Sequence, residues 1–122
     1  MKYLALFFLF LATISFAMPT AFASESSKSM KFFIDTHDRD KGSFPSGKIT
    51  AADFVKKFAE FDSASIDVGM QAHVAHVNIE EGKAYCFTRA TDIETVYRAH
   101  AAADLPYDSI IEVRTVTSSD LR

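Results

Sequence analysis

An α+β fold, one antiparallel sheet with two helices on one face, is predicted by three observations. Two capping boxes each open an apolar stripe at helical spacing, two β-rich runs flank Glu80-Glu81-Gly82, and further β-rich runs begin and end the domain. Together they give the order β-α-β-β-α-β.

Met30 to His37 is a strand candidate, rich in β-formers and ending in polar residues. The loop from Asp38 to Lys48 follows, marked by two glycines and a proline. Thr50-Ala51-Ala52-Asp53 is a capping box, and Phe54, Val55, Phe58 and Phe61 then recur at helical spacing, which predicts a helix over Ala51 to Asp62. Met70 to Ile79 alternates as a strand does, and Lys83 to Arg89 is a second strand beyond the turn. Thr91-Asp92-Ile93-Glu94 is the second capping box, and Ile93, Val96, Tyr97 and His100 lie at i, i+3, i+4 and i+7 of a helix over Asp92 to Ala103. Leu105-Pro106 stops it, because proline disfavours helical geometry in the residue before it. Ser109 to Val116 is the last strand, and the order as a whole is the split β-α-β, or ferredoxin-like, topology.

The first residues predict an address and no part of the fold. Met1-Lys2 is a short basic start, Tyr3 to Ala17 is uncharged and apolar, and Ala21-Phe22-Ala23 has the small-x-small form of a signal-peptidase site. The expected division is a signal peptide over 1–23, a polar lead-in over 24–29, a domain over 30–117 and a tail over 118–122, in a periplasmic or secreted protein. The apolar stretch is short for a bilayer span, so no membrane attachment is expected after cleavage. Without residues 1–23 the balance is 12 basic against 16 acidic residues, since Lys2 is the one charge removed from 13 and 16. A mildly acidic chain without a basic stripe excludes a nucleic-acid surface.

Cys86 is the lone cysteine, and an exported chain usually carries cysteines in pairs. Its neighbourhood follows from the turn. If Glu80-Glu81-Gly82 is a three-residue loop with a glycine bulge, Ile79 faces Lys83, and Val77 faces Tyr85, His76 faces Cys86, Ala75 faces Phe87 and Val74 faces Thr88. Ala75, Val77, Tyr85 and Phe87 then form the expected core face, with His76, Asn78, Cys86 and Thr88 on the other. With Phe32 and Ile34 turned to the helices, Asp35, His37, His76, Cys86 and Glu112 all project from the open face. Two imidazoles, a thiol and two carboxylates suit a borderline transition metal such as nickel, copper or zinc. The inference depends on the turn, since a shift of one residue separates His76 from Cys86.

The runs Phe33-Ile34-Asp35-Thr36-His37-Asp38, Lys41-Gly42-Ser43-Phe44-Pro45, Glu81-Gly82-Lys83-Ala84-Tyr85-Cys86, and Ala99-His100 through Leu105-Pro106-Tyr107-Asp108-Ser109-Ile110-Ile111-Glu112-Val113 resemble a family of small ferredoxin-like proteins described as nickel-binding. The resemblance spans residues 30 to 116 and implies a dimeric α+β sandwich or barrel able to hold nickel. Asp104 departs from it, standing where the family often has glycine.

The ligand candidates are therefore His76, Cys86, His37, Asp35, Glu112 and His100, with nickel as the expected ion and a homodimer as the expected assembly. Each has a plainer reading. His100 lies on its helix's apolar stripe as a core histidine would, and Cys86 can be a small buried hydrophobe. His73 is assigned to the face opposite His76. Asp35 and Glu112 can orient an imidazole or pair with Arg114. Gly47-Lys48 lacks the following Ser or Thr of a phosphate loop. Two other functions stay open: a ferredoxin-like monooxygenase with His100 and Tyr97 or Tyr85 as acid and base, and an interaction module whose open face packs on its twin.

Overall fold

The computed structural model describes residues 28–121. The expected signal segment lies outside them, as does most of the lead-in. The elements are β1 (Lys31–Asp38), α1 (Ala51–Asp67), β2 (Gln71–Asn78), β3 (Lys83–Ala90), α2 (Ile93–Ala102) and β4 (Ser109–Val113), with single 3-10 turns at Arg39–Lys41 and Ser118–Leu121. They form one antiparallel sheet in the order β2-β3-β1-β4, the ferredoxin-like arrangement expected from the sequence. Both helices pack over one face, and Phe33, Phe61, Met70, Ala90, Val96, Ala99 and Ile110 form the core between the layers. Among the described residues, no helix is long and apolar enough to cross a membrane.

The helix starts show how local chemistry sets the elements. The Thr50 hydroxyl accepts from the Asp53 amide while the Asp53 carboxylate accepts from the Thr50 amide, which satisfies two donors that a helix start leaves unpaired. At α2 the cap is Asp92, whose carboxylate accepts from the Thr95 amide, so the helix is capped one residue later than the spacing predicts and by a single cap in place of a reciprocal box. A carboxylate there also meets the positive end of the helix dipole. The first helix runs five residues past its expected end, and in that extension Ser65 is buried with its hydroxyl donating back to the Phe61 carbonyl at 2.6 Å.

Both helices end in the same motif. In α1 the Met70 amide reaches the Ser65 carbonyl and Gly69 reaches Ile66; in α2 Leu105 reaches His100 and Asp104 reaches Ala101. The residue after each cap is left-handed, at φ 80° for Gly69 and 47° for Asp104. Asp104 thus carries a side chain in a conformation that suits glycine, which gives the departure noted in the sequence a structural meaning. Replacing it should help: Asp104→Gly is expected to raise stability by about 0.5–1 kcal/mol, read as a higher denaturation midpoint with an unchanged slope.

The turn between β2 and β3 is longer than expected. Asn78 pairs with Lys83, leaving a four-residue loop, Ile79 to Gly82, and the register moves by one: His76 faces Tyr85 and Ala75 faces Cys86. The cause is tertiary. The Arg39 guanidinium donates to the carbonyls of Ile79 and Glu80, its amide donates to the Gly82 carbonyl, and Gly82 is left-handed at φ 67°. A side chain at Gly82 would bring its Cβ to 2.6 Å from the Arg39 side chain, so this loop closes only on glycine. A bulge between Ala72 and Val74 interrupts the ladder again near His73.

The faces are also exchanged relative to the sequence reading. Phe33, Asp35 and His37 of β1 point under the helices, together with Ala84, Cys86, Thr88 and Ala90 of β3. Phe32, Ile34, Tyr85 and Phe87 take the open face, although Tyr85 and Phe87 looked like core. Small residues along β3 leave room for helices to approach the sheet closely, and that requirement outweighs the preference for covering the larger aromatics.

Candidate metal centre

Asp35, His37 and His100 meet beneath the helices, each at most 5% exposed. The first two lie two apart on β1 and therefore on one face; the third stands on the buried stripe of α2. The Nε2 atoms of His37 and His100 lie 2.9 and 3.0 Å from the same carboxylate oxygen, Oδ2 of Asp35. One donor atom from each of the three residues falls within 4.8 Å of the others.

The far side of each ring fixes its tautomer. His37 donates from Nδ1 to the Pro106 carbonyl at 2.7 Å, and His100 donates from Nδ1 to the Val96 carbonyl at 3.0 Å. Carbonyl oxygens only accept, so both Nδ1 atoms carry hydrogen. In a neutral ring Nε2 is then a lone pair, and two such lone pairs converge on a carboxylate that is itself only an acceptor. Acceptors facing one another in a buried site need a cation between them, either protons or a metal ion.

Charge shifts follow the same logic. Burial alone would push the Asp35 carboxyl up, but hydrogen bonds and charge from His100 and His37 outweigh it and hold the group below its usual range. Burial likewise opposes charge on His37, yet its bond to Asp35 and that residue's charge raise its pKa above the ordinary value, with help from the Pro106 and Ser43 backbone. Burial and the Asp35 charge both push the Cys86 thiol up from its ordinary value.

Of the six candidate ligands, the fold brings three together and leaves three aside. Cys86 is the direct cross-strand partner of Asp35, so it shares the predicted face and lies beside the cluster, but under the helices. His76 is a correction: it is exposed on the other face, edge-on to the Phe87 ring, because the four-residue loop reverses its side relative to Cys86. Glu112 is also exposed, at the sheet edge, where it pairs with Lys31 at 2.9 Å. His100 joins the site because the sheet face was exchanged, so its place on the apolar stripe proved the reason for its membership. The one signal that could have shown this is the small-residue alternation Ala84, Cys86, Thr88 and Ala90, which marks the face under the helices.

A metal ion fits these residues. Atoms coordinated at about 2.0–2.1 Å lie roughly 3 Å apart when adjacent in a square or octahedral set, which is the spacing of the two nitrogens from Oδ2. Oδ1 of Asp35 is buried without a hydrogen-bond partner and is a second available oxygen. Imidazoles anchored through Nδ1–H to backbone carbonyls are held with Nε2 aimed at the ion, as in many metal sites.

The fold and this centre define a small ferredoxin-like α+β protein with a buried cluster of two histidines and one aspartate. A profile of the nickel responsive protein SCO4226-like family matches residues 33–113, and the chain belongs to that family. Among solved structures, the crystal structure of SCO4226 from Streptomyces coelicolor A3(2) superposes with a TM-score of 0.60 at 23% identity, covering 70% of this chain and 99% of that one. At that identity the likeness concerns the fold. No curated protein matches the chain.

Proposed function

We propose that this is an exported protein that binds a divalent transition metal, nickel foremost, through Nε2 of His37, Nε2 of His100 and the carboxylate of Asp35. The observation that carries the reading is the convergence of two Nδ1-anchored imidazoles on one buried carboxylate oxygen. Nickel is favoured by the family's name; imidazole and carboxylate ligands also accept copper and zinc, and copper binds more tightly at most such sites. The bound ion would balance the carboxylate and lone pairs in place of protons. Three protein ligands leave coordination positions for water or a further group, which suits delivery or sensing as well as storage.

Export rests on the basic start, the uncharged run and Ala21-Phe22-Ala23, with the mature domain over 30–117 between the lead-in and the tail. A second copy of the chain is the proposed partner. Supporting it, the open sheet face exposes Val74 at 42%, Tyr85 at 47% and Ile111 at 52%, an apolar surface that a twin sheet would cover.

Calorimetric titration of Ni²⁺ into the purified mature protein, with mass measurement of the same sample, tests both parts. Binding near one ion per chain and a mass of twice the chain are expected. His100→Ala should weaken binding by about 100-fold or more, while His76→Ala should leave it unchanged. Equal affinity in His100→Ala and the parent would remove the site from this position.

A further inference from the structure

A cavity of about 230 Å³ lies beside the cluster, between α1, the loop after β1 and the sheet. Its floor is His37 and Cys86, and its walls are Phe44, Ile49, Phe54, Phe58 and Leu105. The floor and Phe44 are buried, while Pro45 and Asp53 at the rim are exposed, so the cavity has a mouth.

The geometry points to a binding site for a small neutral aromatic molecule of about one ring, held by Phe44, Phe54 and Phe58 against His37. Size sets the class first: dry apolar cavities of about 150 Å³ hold benzene, so this one takes a substituted ring. Charge sets it next. The rim residues Asp53 and Lys57 are both committed, Asp53 to capping α1 with Thr50 and Lys57 to Glu60, so neither a cation nor an anion finds a free counter-charge there. His37 spends both ring nitrogens on Pro106 and Asp35, and therefore presents only its face and edge to the cavity. The Phe44 and Phe54 rings already lie near parallel with centroids 6.1 Å apart, a wall that suits another ring. Protein interiors are normally close-packed, and a void whose lining lacks contact partners is a cost that a bound ligand removes. The site stands apart from the metal proposal, although His37 belongs to both.

Toluene is the probe, titrated into the metal-free mature protein and followed by thermal unfolding and amide NMR. Saturation should raise the unfolding midpoint by several degrees and shift the amide signals of Phe44, Phe58 and Cys86. Ile49→Phe, which fills the cavity, should fold and lose both responses; if that variant does not fold, Leu105→Phe serves the same purpose. No response in the parent, or an undiminished one in a folded cavity-filled variant, overturns the assignment. Because no metal is present, failure here leaves the Ni²⁺ titration untouched.

Discussion

Asp35→Ala is expected to destabilise the metal-free protein by about 3–5 kcal/mol, as removal of one partner from a buried charged group does. The carboxylate is the common acceptor for two rings that are themselves buried, and without it their Nε2 atoms face an apolar void. For a domain of this size such a loss is a large part of the total stability. Asp35→Asn separates the structural role from the ligand role. Its amide fits the same space and can donate to both imidazole lone pairs, so that variant should fold with a much smaller loss. Its neutral oxygen is a poor metal ligand, and Ni²⁺ binding should fall by about 100-fold or more. Urea unfolding and metal titration of both variants provide the check, and an Asp35→Asn protein binding nickel as tightly as its parent would exclude the carboxylate as a ligand.

The metal-free protein should lose stability on the alkaline side, and Ni²⁺ should abolish that loss. His37 has its pKa raised above 6.5 in the folded state, so its contribution is complete below the unfolded value and disappears as pH rises through the folded one. Asp35 has its pKa lowered, so its contribution is complete above 3.8 and disappears as pH falls through its folded value. Between about 3.8 and 6.5 the contributions of His37 and Asp35 are both complete, with the His37 proton lying against the Asp35 carboxylate. At higher pH the His37 proton leaves, and under the proposed function a metal ion would take its place. Unfolding midpoints measured across that range, with chelator and with excess Ni²⁺, should diverge progressively above pH 6.5. His37→Gln removes the titrating ring, and its chelator profile should lose the alkaline slope. Parallel slopes with and without nickel in the parent would contradict the exchange of protons for metal.

The element order was legible in the sequence because it is written in local chemistry. Thr50 with Asp53 fixes the start of the first helix within one turn of chain, and Leu105-Pro106 follows the end of the second. Asp35 and His37 were recognisable as residues of one strand face, since alternation along a strand needs no knowledge of the rest of the fold, whereas their pairing with Cys86 on another strand is a matter of register. Their burial was not legible. The usual expectation sends a carboxylate and an imidazole to solvent, and it fails when polar partners arrive from elsewhere: His100 from 65 residues away, and the Pro106 carbonyl from 69. His76 was misplaced by one residue of loop, and the residue that sets that loop, Arg39, acts on Ile79 and Glu80 across about forty residues.

By itself, the sequence determined the kind and order of the elements, the alternation of side chains within each strand, and a short set of metal-compatible side chains. Those properties depend on capping, proline geometry and two-residue periodicity, each decided within a few bonds. Only the tertiary structure decided which face the helices cover, how long the β2–β3 loop is, and that His100 meets Asp35 and His37 in a buried cluster from which His76 is turned away. The physical reason is that a buried polar group is stable only when distant partners satisfy it, and no local pattern encodes where those partners stand.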